Sequence, residues 1–340
     1  MSRRATLPVG GRVVGMDLSA DRTLRPGLAA LAVAATLPYL TLKLLWLCGS
    51  TVGMVDPATA EDPALWLLNL VTFGMDGVAA LLALAFARPW GQRLPAGLVV
   101  LPMWVATGLL GPLLLALALT AAATLLLGGE AAPAADGFLR PWVYLLVYGG
   151  FAVQGAALAG AFGLYARGRW GGLLRARVRD LPDTATLPLQ RVLVGAAAVL
   201  ALPVTAAHLY WCLGGTTGLS ADTVDGRGHG FTSLQGVWAL AAPVAVAALA
   251  VVVFRAGPGL GLRGPLAAVW TAGGSVFGWG CWVLLAGGLR TTAPDPAKAV
   301  PPATHLLGAA EADAGLLILV VGAIALIEHA SARADVESAR

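Results

Sequence analysis

Charge is scarce in this sequence. Only 12% of its 340 residues are Asp, Glu, Lys or Arg, and lysine occurs twice, at Lys43 and Lys298. A soluble domain needs about a quarter of its residues charged to face water, so that class is excluded. Cysteine is nearly absent too. Cys48, Cys212 and Cys281 all sit inside apolar runs and none forms a CxxC pair. That pattern gives no disulfide framework. The chain has no P-loop, no zinc-protease motif and no Gly-x-Ser-x-Gly elbow. Gly257-Pro258-Gly259-Leu260-Gly261 precedes no soluble helix and is not a nucleotide site. The four histidines, His208, His229, His305 and His329, give no bis-histidine haem pattern. Asp222, Asp225 and His229 read as a solvated loop before they read as a metal site. No cofactor, metal or catalytic residue is therefore assigned, and the reading leans away from an enzyme. The net charge of +4 is spread over short loops, so no nucleic-acid partner is expected. Residues 1–26 lack an apolar h-region, so the first helix is expected to be its own insertion signal.

What the sequence has is apolar length. Hydrophobic residues make up 58% of it and the mean hydropathy is +0.79. They cluster in eight runs, roughly 27–47, 64–87, 96–127, 141–166, 192–213, 231–254, 265–288 and 306–327. Each is long enough to cross a hydrocarbon layer of roughly 30 Å at about 1.5 Å per residue. The expected fold is an all-α integral membrane protein with eight transmembrane helices, in a plasma-membrane bilayer. Pro102 and Pro112 in the third run predict a kink or tilt there.

One stretch occurs twice. Leu37-Pro38 leads to Lys43, Trp46 and Gly49-Ser50-Thr51-Val52-Gly53. At an offset of 165 residues, Leu202-Pro203 leads to His208, Trp211 and Gly214-Gly215-Thr216-Thr217-Gly218. The shared pattern is [K/H]-x-x-W-x-x-G-[S/G]-T. It predicts two four-helix modules, 27–166 and 192–327, with a basic linker at 167–191 and tails at 1–26 and 328–340. The linker's Trp170, Leu173, Leu174 and Val178 either lie on the inner membrane surface or belong to an ordinary basic loop. The segment from His208 to Thr216 resembles a pattern in small four-helix membrane proteins of high-GC actinobacteria. The resemblance implies a fold and a source, which the Ala, Gly, Leu and Arg bias matches, and it carries no functional residues across.

Loop charge predicts orientation. Seventeen of the 22 basic residues fall in the two tails and the alternate loops that include the central linker. Four fall in the opposite loops, and Lys43 lies within a helix. Under the positive-inside rule this puts both termini in the cytoplasm. An even number of helices per half then makes the two halves parallel repeats.

An ionisable residue inside lipid is costly and is a site candidate for that reason. The candidates are Lys43, Asp76, His208, Glu311 and Asp313, with Trp46 and Trp211 on the helix faces of Lys43 and His208. Lys43 either snorkels to the outer headgroups or joins a buried cluster. His208 either takes part in that cluster or makes a structural interhelical hydrogen bond. Glu311 lies beside a stripe of Gly308, Gly315 and Gly322, which favours close packing. It is the expected buried acid, with Asp313 facing a wetter side. Lys43, His208 or both are expected to meet Glu311, while Asp76 and Gln154 lie deeper. The favoured function is binding or transport of a small solute or ion through this polar cluster. The alternative is a non-transporting assembly partner, sensor or envelope-stress component.

Overall fold

The computed structural model describes residues 14–128, 139–290 and 300–338, without the side chains of residues 14–23, 222, 290 and 333–338. Eight helices are long and apolar enough to cross a membrane. They are α1 (Val14–Leu47), α2 (Pro63–Ala87), α3 (Ala96–Leu127), α4 (Pro141–Arg175), α5 (Leu187–Cys212), α7 (His229–Val253), α8 (Arg263–Arg290) and α9 (Pro302–Ser338). A short helix, α6 (Ala221–Asp225), lies between α5 and α7. There is no named strand among the described residues. With every span helical, most backbone polar groups are satisfied inside their own segment, which the absence of water in a bilayer core favours.

Local sequence sets the helix ends. Proline begins α2 and α4, where its missing N–H is not needed. Asp62 caps α2 by accepting the Ala64 N–H at 2.8 Å. α3 runs unbroken through Pro102 and Pro112. The break in regular dihedrals comes instead in α4, at Trp170 (φ −122°, ψ 23°), and no proline lies there.

The repeated stretch builds the same helix end twice. Gly49 and Gly214 have φ of 85° and 104°. This left-handed turn lets Ser50 N–H reach Leu45 O and Gly215 N–H reach Tyr210 O, both at 2.9 Å. Trp46 Nε1 then donates to Val52 O at 2.8 Å, and Trp211 Nε1 to Thr217 O at 2.9 Å. Each indole N–H thus closes its own loop six residues on.

Packing is uneven between the halves. α5, α7, α8 and α9 form a closed ring of neighbours, whereas α3 packs more on α8 and α7 than on α2 or α4. The two halves meet at Gly108 of α3 and Gly274 of α8. A Cβ on Gly108 would stand 2.1 Å from the Gly274 carbonyl. Around this crossing Trp104 stacks on Phe277, with ring centroids 5.1 Å apart, and Trp270 Nε1 donates to Thr107 Oγ1 at 2.8 Å.

The central segment is docked rather than splayed. Trp170 packs against Phe162 and Tyr165, and Val178 is fully buried in a cluster with Ala176, Leu181, Val252 and Leu262. Backbone bonds from Val178 N–H to Leu260 O and from Leu262 N–H to Ala176 O fix it to the loop before α8. Apolar side chains that the sequence offers to a membrane surface are used inside the protein. At the same end, Glu328 of α9 accepts from Thr184, Thr186 and Gln190. Arg25 of α1 reaches Leu164 O of α4 there too. The amino end of α1 and the carboxyl end of α9 therefore lie on the same side of the bundle.

Candidate functional site

The equivalent positions Lys43 and His208 each sit one turn before the end of their helix, and each makes a buried contact with a carboxylate. The partners differ. Lys43 Nζ stands 2.6 Å from Asp76 Oδ2 of α2, and the lysine is 1% exposed. His208 Nε2 stands 2.5 Å from Glu311 Oε1 of α9, with both residues buried. The expectation that Glu311 meets Lys43 or His208 is met by His208. Lys43 does not meet Glu311, and it does not snorkel.

Side-chain direction explains the Lys43 pairing. Trp66 Nε1 bonds Leu47 O and Asn69 Nδ2 bonds Lys43 O, which sets the register of α1 against α2. Asp76 is two turns further along α2 than Asn69, or about 10 Å by helix rise. Every Cα–Cβ bond tilts toward its own helix amino terminus. In antiparallel helices the Lys43 side chain therefore runs inward and the Asp76 side chain outward, and they meet. The ammonium also lies 4.1 Å from the centre of the Tyr39 ring, and Gln154 of α4 hydrogen-bonds the Asp76 carboxylate. Both charges are hydrogen-bonded, as buried charges must be.

The His208 site is built differently. Nδ1 of its ring faces Gln235 Oε1 of α7 at 2.6 Å. Trp211 and Trp238 flank the ring, with centroids 5.5 and 5.4 Å away, and Trp279 of α8 follows Trp238 at 5.0 Å. These groups line a cavity of about 230 Å³ that reaches Ser220 and Thr223 at α6 and Pro301 and Thr304 at the start of α9. Glu311, His208 and Gln235 are its buried polar lining. The buried indole N–H groups of Trp238 and Trp279 have no acceptor. Native cores seldom leave such donors unpaired.

Gly308 and Gly315 let α9 lie close on α8: a Cβ at Gly315 would come 2.5 Å from Phe277 and one at Gly308 would come 2.9 Å from Val283. Gly322, third in that stripe, faces open space. This close approach carries Glu311 into the bundle. Asp313 is exposed, on a stripe it shares with Leu306, Leu316 and Val320. That stripe is apolar, so the wetter side expected for Asp313 is not what its neighbours make. Trp46 and Trp211 serve the helix ends, and Trp211 also lines the cavity. His229 bonds Gly128 O at 3.0 Å. Among the described residues no group of three or more His, Cys, Asp or Glu side chains is placed to hold a metal.

Gln235, Trp238 and Trp279 are the site residues that the search for charges passed over. Gln235 had a signal: it stands 166 residues after Asn69, and each bonds the helix bearing the paired cation or histidine. The tryptophans had none, because apolar runs conceal an aromatic wall.

Eight such helices define a multi-pass membrane protein. Comparison with protein-family models, with curated proteins and with solved structures finds no match.

Proposed function

We propose that the protein binds a small solute at the cavity beside His208 and Glu311 and passes it across the membrane. The observation that carries this reading is an ionisable pair lining an open cavity within otherwise apolar helices. Burying two charges is costly, and a purely structural role is served as well by apolar packing. The volume corresponds to about eight water molecules, which limits the solute to a few heavy atoms.

The test uses purified protein in detergent and a panel of small amines, carboxylates, amino acids and polyols. At a concentration of 100 Kd a true ligand stabilises the fold by about 2.7 kcal/mol, so thermal unfolding shifts upward. Leu307→Trp, which fills the cavity from its wall, removes that shift. Absence of any shift in the wild type, together with no flux in proteoliposomes, overturns the reading in favour of an assembly or sensor role.

Orientation belongs to the same proposal. The two halves act as parallel repeats of one actinobacterial-type module, with the cavity opening to the outside of the plasma membrane. Reporter fusions after Gln92, Arg179 and Arg333 read cytoplasmic, and those after Ala60, Ala134, Asp222 and Pro296 read external. One reversed reading among the middle sites removes a span and with it the parallel repeat.

A further inference from the structure

We infer that the ligand of this cavity is a small organic monocation, taken up in exchange for one proton held by His208 and Glu311. The inference rests on the reading of the cavity as a solute site and adds the class of solute.

Both ring nitrogens of His208 face oxygens, Gln235 Oε1 at Nδ1 and Glu311 Oε1 at Nε2. An imidazole nitrogen facing a carbonyl oxygen must carry hydrogen. One proton therefore sits on Nδ1. A second lies between Nε2 and the carboxylate, because two lone pairs do not approach to 2.5 Å. With two protons shared among ring and carboxylate, the pair is electrically neutral. It has one further stable form. If the Gln235 amide turns over, its NH₂ donates to Nδ1, and that proton is free to leave. The remaining proton stays on Nε2 and donates to ionised Glu311. The pair then carries a single negative charge beside the cavity.

Other charges near the pair do not offset that one. α7 brings Gln235 to His208, α9 brings Glu311 and α8 brings Trp279. No lysine or arginine lines the cavity. Arg227 stacks on the Phe231 ring, 5.1 Å from its centre, and its two terminal nitrogens donate to the carbonyls of Gly214 and Gly215. Cys212 Sγ is engaged with Thr232 O, and the His305 ring packs at Gly287.

A negative charge in a low-dielectric pocket needs a positive partner. Trp211, Trp238 and Trp279 in the wall suit an alkylated ammonium, because the face of an indole ring attracts a cation held over it. A hydrated metal ion would find few oxygen ligands here, and an anion would find no lysine or arginine in the wall. The exchange conserves charge: the neutral pair and an external cation become an anionic pair with bound cation and a released proton.

The experiment compares tetramethylammonium and choline with 3,3-dimethyl-1-butanol, the neutral isostere of choline, and with pivalate. Binding is read by tryptophan fluorescence, and proton release by a pH indicator in weak buffer. Wild-type protein is expected to release one proton per ammonium bound. Its apparent affinity rises about tenfold per pH unit while the pair is protonated. Glu311→Gln keeps the side chain's shape, abolishes the release and weakens ammonium binding at least tenfold. Equal binding of the neutral isostere, preferred binding of pivalate, or ammonium binding without proton release in the wild type overturns the inference and leaves the solute site standing. If no probe of any charge binds or shifts unfolding, the solute site itself fails. The wild-type proton count depends on no variant folding.

Discussion

Lys43→Met unfolds at a much lower denaturant concentration than the double variant Lys43→Met/Asp76→Leu. Removing one member of a buried ion pair leaves an uncompensated charge and typically costs about 3–5 kcal/mol, whereas replacing both with apolar groups is neutral or stabilising. Lys43 is 1% exposed and lies 2.6 Å from Asp76, so neither charge has water to fall back on. Asp76→Leu alone behaves like Lys43→Met, stranding the ammonium against Tyr39. The check is equilibrium unfolding in mixed detergent micelles for the four proteins of the cycle. Strict additivity would mean that the two side chains act independently, contrary to the packing. Glu311 does not belong to this cycle, and Lys43→Met combined with Glu311→Gln is expected to be additive, as changes at separate sites are.

The second large effect is at the crossing of the two halves. Gly108→Leu is expected to lose most folded protein, because even a Cβ there meets the Gly274 backbone at 2.1 Å. The obstacle is a carbonyl group rather than the end of a side chain, so no rotamer change relieves it. Overpacking relieved by side-chain movement costs about 1–3 kcal/mol. Here α3 must move away from α8, and the cost exceeds that range. Gly111→Ala, one turn further on α3 and facing open space, is the control. It is expected to be neutral or to stabilise by about 0.5–1 kcal/mol through helix propensity. Size-exclusion profiles and thermal unfolding of the two variants separate the outcomes. Equal stability of both would show that the helices are not in contact at Gly108.

The spans were legible because apolar length is a one-dimensional signal, and the helices begin and end within a few residues of the runs except where they continue past the apolar part. α4 extends to Arg175 and α9 to Ser338, since nothing polar need stop a helix once it leaves the apolar layer. Glu311 was legible through the adjacent Gly308 and Gly315, which allow close packing on α8. The Lys43–Asp76 pair was not. Counting residues from helix ends measures where a Cα lies, and Lys43 and Asp76 differ in depth by that measure. Their side chains close the difference by leaning in opposite directions. The contact between Gly108 and Gly274 was hidden for another reason. Glycine is common throughout these helices, with 44 in the chain, and only the crossing geometry separates one that touches backbone from one that faces open space.

The paired helix ends at Gly49 and Gly214 have a consequence for how the two halves tolerate change. At each end the turn and the indole bond close within about six residues, from Trp46 to Val52 and from Trp211 to Thr217, and the longer bonds come from Trp66 to Leu47 O and from Arg227 to the Gly214 and Gly215 carbonyls. None of them involves the side chain three positions before the tryptophan. The residue there is thus free of the local geometry and answers only to whatever stands across from it. A lysine sealed by Asp76 and a histidine open to a cavity occupy one and the same socket. Exchange of the side chain in that socket alters chemistry in one half without disturbing how the chain turns, or what the other half holds.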